Sequence, residues 1–210
     1  SDLIFGVLCF ESLKKNSYSK ADVEFLRNST QFLSYALQSL STQSMLKDMA
    51  AYDFETPALN RKTFVSRVQI ELLKSKEFRI QSTLAVIRID DFLEQESLFD
   101  SNPFTFLVDN LCQFIQNDLT IFNLFGRIDE KTFAVYFLNY QDQDVFVWAE
   151  KLRVKIVRQT LNISSKQSNY TISAGVISCN DKTDIDSILS DASLALKKAI
   201  DAGGNRVQKY

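Results

Sequence analysis

The chain has 210 residues, 45% of them hydrophobic, which allows one large domain with a substantial core, or one domain and a fragment of another. A formal net charge of −2 and a pI of about 5.3 provide no basic field for nucleic acid or an anionic membrane. The sequence contains no histidine, which excludes histidine general bases, serine–histidine triads and zinc sites built on histidine.

A strand and a long helix are predicted first along the chain. The residues DLIFGVLCFES predict a strand whose partner strands would come from outside this chain. Ser19 and Asp22 predict a helix N-cap with an acidic third position, and leucines at helical spacing continue the helix to about Met49. Such a helix is roughly 45 Å long at 1.5 Å per residue. Its apolar stripe needs a partner, either a second copy of the helix or the missing partner of the first strand.

Beyond a loop around Pro57, helices and strands alternate. The predicted helices are RKTFVSRVQIELLKSKEF, NPFTFLVDNLCQFIQND, QDVFVWAEKLRVKIVRQTL and DIDSILSDASLALKKAIDAG. The predicted strands are STLAVIRI, IFNLFGR, FAVYFL, YTISAGVIS and NRVQKY. IFNLFGR and FAVYFL form a hairpin whose tip carries Asp129 and Glu130, which first suggests a metal site. The pattern predicts the α/β (α+β) class, with helices packed on a mixed sheet.

Three isolated cysteines, Cys9, Cys112 and Cys179, lie among apolar residues and are expected to be buried free thiols in a reducing cytoplasm. No apolar run approaches the roughly 20 residues that cross a bilayer, and the first ten residues lack the basic start of a secretory leader. We therefore expect a cytoplasmic location, no nucleic-acid partner and no membrane insertion by this segment. A tether to the inner membrane through preceding segments stays open.

Five phrases, in order, resemble the motifs of GGDEF domains, the diguanylate cyclase family. They are DFETPALNR, RIDDFL, GRIDEKTF, YTISAGV and DASLALKKAIDAGGNRV, and the resemblance covers residues 51–210. It implies the nucleotidyl-cyclase-like mixed sheet of that family. Residues 1–18 resemble the C-terminal tail of a GAF domain, and residues 19–50 resemble the signalling helix that joins such a sensor to a GGDEF module.

The resemblance implies that active relatives join two GTP molecules with Mg²⁺ held by two carboxylates. Those two positions fall at Arg88 and Lys131 in this sequence. Magnesium takes hard oxygen ligands, so each position carries a cation where an anion is needed. Two like unit charges about 4 Å apart cost roughly 4 kcal/mol at an intermediate dielectric, and a divalent ion doubles this cost. We therefore expect no metal and no cofactor.

Other positions implied by the resemblance also depart from the family pattern. The two glycines of the signature fall at Asp129 and Glu130, which adds side chains and negative charge where the triphosphate would lie. The asparagine that reads guanine falls at Glu96. The two cations that contact phosphate fall at Ile200 and Gly204.

The inhibitory site of the family, an R-x-x-D motif that binds cyclic di-GMP, falls at Thr120 and Asn123. Neither residue can make the bidentate guanine contacts of an arginine. Cyclic di-GMP is therefore disfavoured as a ligand.

The retained motif residues are expected to cap helices, fill the core or turn the chain. They are Asp53, Asn60, Arg61, Phe92, Arg127, Phe133 and Asn205. For Asp53 and Arg61 we expect a structural ion pair or a helix cap. For Asp90 and Asp91 we expect a strand-end turn rather than a metal pair.

These features together predict a catalytically inactive GGDEF-like module with a regulatory or protein-interaction role in bacterial signalling, coupled to an upstream GAF sensor. Its protein partner is unknown, and a homodimer through residues 19–50 stays open. One alternative is a receptor of the PelD type, which binds cyclic di-GMP to control exopolysaccharide export or another membrane machine. A further alternative is metal-free nucleotide binding, in which Arg88 and Lys131 contact phosphates directly.

Overall fold

The computed structural model describes residues 9–15, 17–49, 51–90, 103–163 and 166–210. The chain divides between Ala50 and Ala51 into two compact units. Phe92, Glu96 and Asp91, for which the sequence made predictions, lie outside the described residues.

The first unit contains the long helix α1, Lys20–Met49. Ser19 N–H donates to Asp22 Oδ2 at 2.8 Å, and Asp22 N–H donates back to Ser19 Oγ at 3.2 Å. This reciprocal capping satisfies two backbone donors at the helix start, and the hydrogen bonds from Ser19 hold the pKa of Asp22 below its usual range. The predicted helix and its cap are confirmed. Residues 9–15 form neither helix nor strand, and the rest of the predicted first strand lies outside the described residues.

The second unit contains a five-stranded mixed sheet between two layers of helices. The strands are β1 (Ser82–Ile89), β2 (Leu124–Arg127), β3 (Thr132–Leu138), β6 (Ile172–Ser178) and β7 (Val207–Lys209), with a separate pair β4 (Leu161–Ile163) and β5 (Lys166–Ser168). The helices are α2 (Arg61–Glu77), α3 (Pro103–Asp118), α4 (Asp142–Arg158) and α5 (Ile185–Asp201). The strand order is β2-β3-β1-β6-β7, and among these five strands only the β6–β7 pair is parallel.

The central strand β1 separates two cores because successive side chains point to opposite faces of a strand. Leu84 and Val86 pack with residues of α2 and α5. Ala85, Ile87 and Ile89 pack with residues of α3 and α4. Burial on both faces explains why this strand is a nearly continuous apolar run in the sequence.

Two glycines allow helices to approach the sheet closely. A Cβ at Gly175 on β6 would lie 2.5 Å from the backbone nitrogen of Leu196 on α5. A Cβ at Gly126 on β2 would lie within 2.5 Å of the Phe64 ring on α2. Neither helix could stay in place over a larger residue at these positions.

The structure corrects two sequence expectations. Cys9 is exposed rather than buried, because it lies in residues 9–15, which join no helix or strand, whereas Cys112 and Cys179 are buried free thiols as predicted. The β4–β5 hairpin was not predicted, since its strands are three residues each and largely polar. Among the described helices, none has the length and apolarity needed to cross a membrane.

Candidate functional site

The candidate site lies at the end of the sheet where β1 finishes and the β2–β3 hairpin turns. Arg88 pairs in register with Thr132 on β3 and with Ser173 on β6. Ile89 N–H donates to Lys131 O at 3.0 Å, which extends the pairing by one residue. The two positions predicted to have lost their metal carboxylates, Arg88 on β1 and Lys131 just before β3, therefore lie at the same end of the sheet.

These two cations do not converge on one point. Strand alternation places Arg88 on the sheet face that carries Leu84 and Val86, which is covered by α2 and α5. Lys131 instead lies over α3, with its Nζ 5.7 Å from the centroid of the Phe104 ring, within cation–π range. The register thus directs the two positive charges toward opposite faces of the sheet.

The hairpin tip is held by its own backbone and side-chain contacts. Asp129 Oδ1 accepts from the Lys131 N–H at 2.9 Å, and the Asp129 N–H donates to Thr132 O at 3.2 Å. Arg127 Nη2 donates to Glu130 O at 3.0 Å. Asp129 and Glu130 are exposed, and the residues that the structure describes contain no group of three or more metal-ligating side chains. The tip therefore has carboxylates without a cluster that could coordinate a metal.

A buried ion pair holds the β2 side of this hairpin, next to the tip. Arg127, which is 8% exposed, donates through Nη1 to Asp53 Oδ1 at 2.8 Å and to Glu55 Oε2 at 2.7 Å. Burial acts to lower the pKa of Arg127, but the two carboxylates outweigh it and raise that pKa. Burial acts to raise the pKa of Asp53, but hydrogen bonds from Arg127 and Thr56 hold it below its usual range. The predicted ion pair of Asp53 is confirmed, with Arg127 as its partner.

The predictions for Asn60 and Arg61 have different outcomes. Asn60 caps α2, because its Oδ1 accepts from the Thr63 N–H at 2.8 Å. Arg61 is the first residue of α2 and is exposed, and it forms no ion pair with any residue in the described ranges. Of the two residues for which an ion pair or a cap was expected, Asp53 therefore forms an ion pair, with Arg127, and Arg61 does not.

Asp90 connects three separated segments at this end of the sheet. Its carboxylate accepts from Ser173 Oγ at 2.7 Å, from the Asn205 N–H at 2.9 Å and from Thr171 Oγ1. Gly204 and Asn205 both have positive φ, +72° and +48°, so the turn between α5 and β7 needs the left-handed region. A Cβ at Gly204 would lie 3.3 Å from the Asp90 carboxyl group. Asp90 therefore joins the end of β1 to β6 and to the turn before β7, and the strand-end turn expected for Asp90 and Asp91 continues outside the described residues.

Two further predicted positions complete the site. Ile200 lies in the last turn of α5 and is exposed, so this helix end presents an apolar side chain at a position where the sequence resemblance implied a cation. Phe133 is fully buried and stacks on Phe125, with ring centroids 5.7 Å apart. Phe133 therefore fills the core, as predicted.

The positions of the inhibitory motif lie at the opposite end of the sheet, in the turn before β2. Thr120 donates through its N–H and its Oγ1 to Asn123 Oδ1, at 2.8 and 2.6 Å. The Asn123 N–H donates to Thr120 O at 3.1 Å. The two side chains thus close a turn on themselves, and the residues between them, Ile121 and Phe122, are 92% and 65% exposed.

Sequence reasoning missed two members of the site. Glu55 joins the Arg127 ion pair, and its position two residues after Asp53 in a loop was an available signal. Phe104 lies beneath Lys131, but nothing in the linear sequence indicates this contact, because α3 and the hairpin meet only in the fold.

Comparison with protein families matches residues 50–206 to the diguanylate cyclase GGDEF domain. The chain belongs to the GGDEF family. A comparison with curated proteins finds no match. The family is one of bacterial cyclic di-GMP signalling domains.

Solved structures similar to this GGDEF domain share its fold at low identity. The GGDEF domain of DgcB from Caulobacter crescentus, in complex with c-di-GMP, is 21% identical with a TM-score of 0.71, over 76% of this chain and 92% of that chain. A DgcB structure with coiled coil and GGDEF domain is 21% identical with a TM-score of 0.71, over 91% of this chain and 100% of that one. The FimX GGDEF domain from Pseudomonas aeruginosa is 17% identical with a TM-score of 0.70, over 77% and 100%.

Proposed function

We propose that this GGDEF domain is a catalytically inactive regulatory and protein-interaction module in bacterial signalling. The observation that carries the proposal is the pair of cations, Arg88 and Lys131, at the two positions where the resemblance to the family implies magnesium carboxylates. Magnesium needs oxygen ligands, typically carboxylates together with substrate phosphates. Neither cation supplies an oxygen, so the residues at these positions do not fit the metal, and no catalytic step follows from it.

The surroundings of the site also disfavour a triphosphate. Asp129 and Glu130 place two exposed carboxylates at the hairpin tip, where they would repel the phosphates. Ile200 and Gly204 carry no charge at the end of α5, so the two expected phosphate cations are missing. The missing cations and the added carboxylates both weaken the binding of a triphosphate.

The same region keeps the contacts that hold the fold. Arg127 with its two carboxylates and Asp90 with its three donors stabilise the hairpin and the strand ends without any ligand. A domain that keeps its scaffold and loses its metal ligands is suited to contacts with proteins. Retained structural contacts together with lost metal ligands support a regulatory role for a stably folded domain.

Coupling to an upstream GAF sensor through α1 is part of the proposal. Leu26, Leu33 and Leu40 repeat at intervals of seven residues, the spacing of a coiled-coil seam. Leu33 and Leu40 are exposed in the first unit. Pairing of α1 with the same helix of a second copy would cover these side chains, and DgcB, a fold relative, has a structure of its coiled coil together with its GGDEF domain.

Metal-free nucleotide binding is the second candidate, and one observation favours it. Arg88 is half-buried, and the structure assigns its guanidinium no hydrogen bond or ion pair with any described residue. A guanidinium in that position can accept an anion. The candidate is weakened because Lys131 lies over Phe104, on the other face of the sheet. A receptor of the PelD type is weaker still, because Thr120 and Asn123 bond to each other.

The decisive experiment incubates the purified full chain with GTP and Mg²⁺ and measures cyclic di-GMP by chromatography. We expect none, and a product that accumulates with time would refute the proposal. Calorimetry with GTP, without metal, separates the second candidate, because heat that disappears in Arg88→Gln would establish nucleotide binding at that residue. The same titration with cyclic di-GMP is expected to give no heat.

A further inference from the structure

A groove runs along the end of the sheet opposite the degenerate site. Ser82 pairs with Leu138 and Leu124 pairs with Tyr136, so β1 and β2 begin where β3 ends. Arg88 lies six residues further along β1, about 20 Å away at roughly 3.3 Å per residue. A ligand in the groove therefore would not contact the hairpin tip.

Three adjoining hollows make up this groove. The first lies beside the end of α2 and is lined by Lys76, Arg79 and Ile80. The second shares Ile80 and is lined by Phe122, Leu138 and Tyr140. The third shares Thr120 with the second and is lined by Tyr52, Arg67 and Leu124. The shared residues show that the three hollows lie side by side along this edge.

Large apolar side chains are exposed along the groove. Ile121 and Phe122 protrude from the turn before β2, and Ile80, Tyr140 and Tyr52 are also exposed. Clustered apolar exposure of this kind is typical of protein interaction sites, whereas single exposed apolar residues are ordinary. The hydrogen bonds between Thr120 and Asn123 fix the turn. Ile121 and Phe122 are therefore held in place before any partner binds.

The charge of the groove has one sign. Arg67, Lys76 and Arg79 are its charged residues, and no carboxylate occurs among the described residues that line it. None of the three forms an ion pair with a residue that the structure describes. The whole chain has a net charge of −2, so this surface opposes the average charge of the protein. Electrostatic complementarity selects a negatively charged occupant.

We propose that the groove docks an acidic segment of a protein partner, with two or three apolar or aromatic side chains spaced among Asp and Glu residues. The apolar side chains would occupy the hollows beside Phe122, and the carboxylates would pair with Arg67 and Arg79. This inference rests on the proposed role as an interaction module and names the surface that performs it.

Two other occupants fit less well. A second copy placed symmetrically would bring the same three cations against each other, because a two-fold interface uses one surface twice. Surface clusters that bind anionic lipids commonly hold four to eight basic residues. The groove is concave and has three.

The test selects random 12-residue peptides displayed on phage against the purified full chain, with the Phe122→Ser variant as counter-selection. We expect enriched peptides to be acidic and to contain spaced apolar residues. In fluorescence anisotropy with the best labelled peptide, Arg67→Glu with Arg79→Glu should weaken binding at least tenfold, as should raised salt. Lys197→Glu and Leu194→Ser, exposed on α5, are matched controls that should bind as the wild type does.

Several outcomes would overturn the proposal. These are peptides that are neutral or basic, enrichment equal to that on Phe122→Ser, and binding unaffected by the charge reversals. The proposal would also fail if the chain self-associates and the charge-reversal variants abolish that association. It would fail as well if the chain binds phosphatidylserine vesicles but binds no peptide. The fluorescence of Trp148 and circular dichroism verify that each variant is folded. Cyclase activity would refute the inactive role without affecting peptide binding, whereas failed peptide binding with no cyclase activity would refute the groove alone.

Discussion

Removing the Arg127 guanidinium tests whether the buried ion pair holds the hairpin. Arg127→Met keeps much of the side-chain volume but leaves the Asp53 carboxylate, whose side chain is 24% exposed, without its cation. Breaking a buried pair in this way costs about 3–5 kcal/mol, and the partial exposure of Asp53 favours the lower value, about 3 kcal/mol. Glu55→Gln is the matched control, with an expected cost of about 0–1 kcal/mol, because the Glu55 side chain is 73% exposed.

Urea unfolding followed by Trp148 fluorescence provides the measurement. Trp148 is the sole tryptophan of the chain and lies in the second unit, so the signal reports that unit alone. With a slope of about 2 kcal/mol per molar urea, a loss of about 3 kcal/mol lowers the midpoint by about 1.5 M. A midpoint within about 0.5 M of the wild type for Arg127→Met, or an equal loss for Glu55→Gln, would refute this account.

The pH dependence follows from the lowered pKa of Asp53. A carboxyl group whose folded pKa lies below its unfolded value stabilises the fold above the unfolded pKa, ordinarily 3.8, and loses that contribution as the pH falls through the folded pKa. Asp53→Asn should therefore be clearly less stable than the wild type at pH 7. The difference should shrink as the pH falls below about 4, and a constant difference down to pH 2 would contradict the assignment.

Three other predictions concern the site, the packing and the long helix. Arg88→Asp with Lys131→Glu should still give no heat with Mg²⁺ in calorimetry, because the two positions face opposite sides of the sheet; heat from the double variant that the wild type lacks would show that the two side chains can converge on one ion. Gly175→Ala should cost about 1–3 kcal/mol in the same urea titration, because its Cβ would lie 2.5 Å from the Leu196 nitrogen; an unchanged midpoint would contradict this. The full chain should sediment as a dimer at micromolar concentration and Leu33→Lys as a monomer, whereas a monomeric wild type would exclude pairing through α1.

Strongly patterned elements could be predicted from the sequence. β1 was predicted at its observed bounds, because a buried central strand is a continuous apolar run. The start of α1 followed from Ser19 and Asp22, whose capping bonds are local. The β4–β5 hairpin was missed, because short polar strands carry no period that distinguishes them from a loop.

The sequence predicted where the site residues lie in the fold better than it predicted which side chains they contact. Register along the family motifs placed Arg88 and Lys131 at one sheet end, and the structure has them there. Their divergence was not foreseen, because it depends on strand pleating and on the Phe104 ring of α3. The partner of Asp53 was also missed, since Arg127 lies 74 residues away in the chain.

The three hydrogen bonds to Asp90 have a consequence for how the sheet edge opens. β7 has three residues at the outer edge of the sheet, and such a strand would fray readily if backbone pairing alone held it. The Asn205 N–H, two residues before β7, is bound by a carboxylate at the end of the central strand. Release of β7 therefore disturbs β1 and β6 as well, and the Asn205 amide should exchange its hydrogen with the slow core rather than with the fast termini. The last strand and the first strand of the sheet are thereby joined in one cooperative unit.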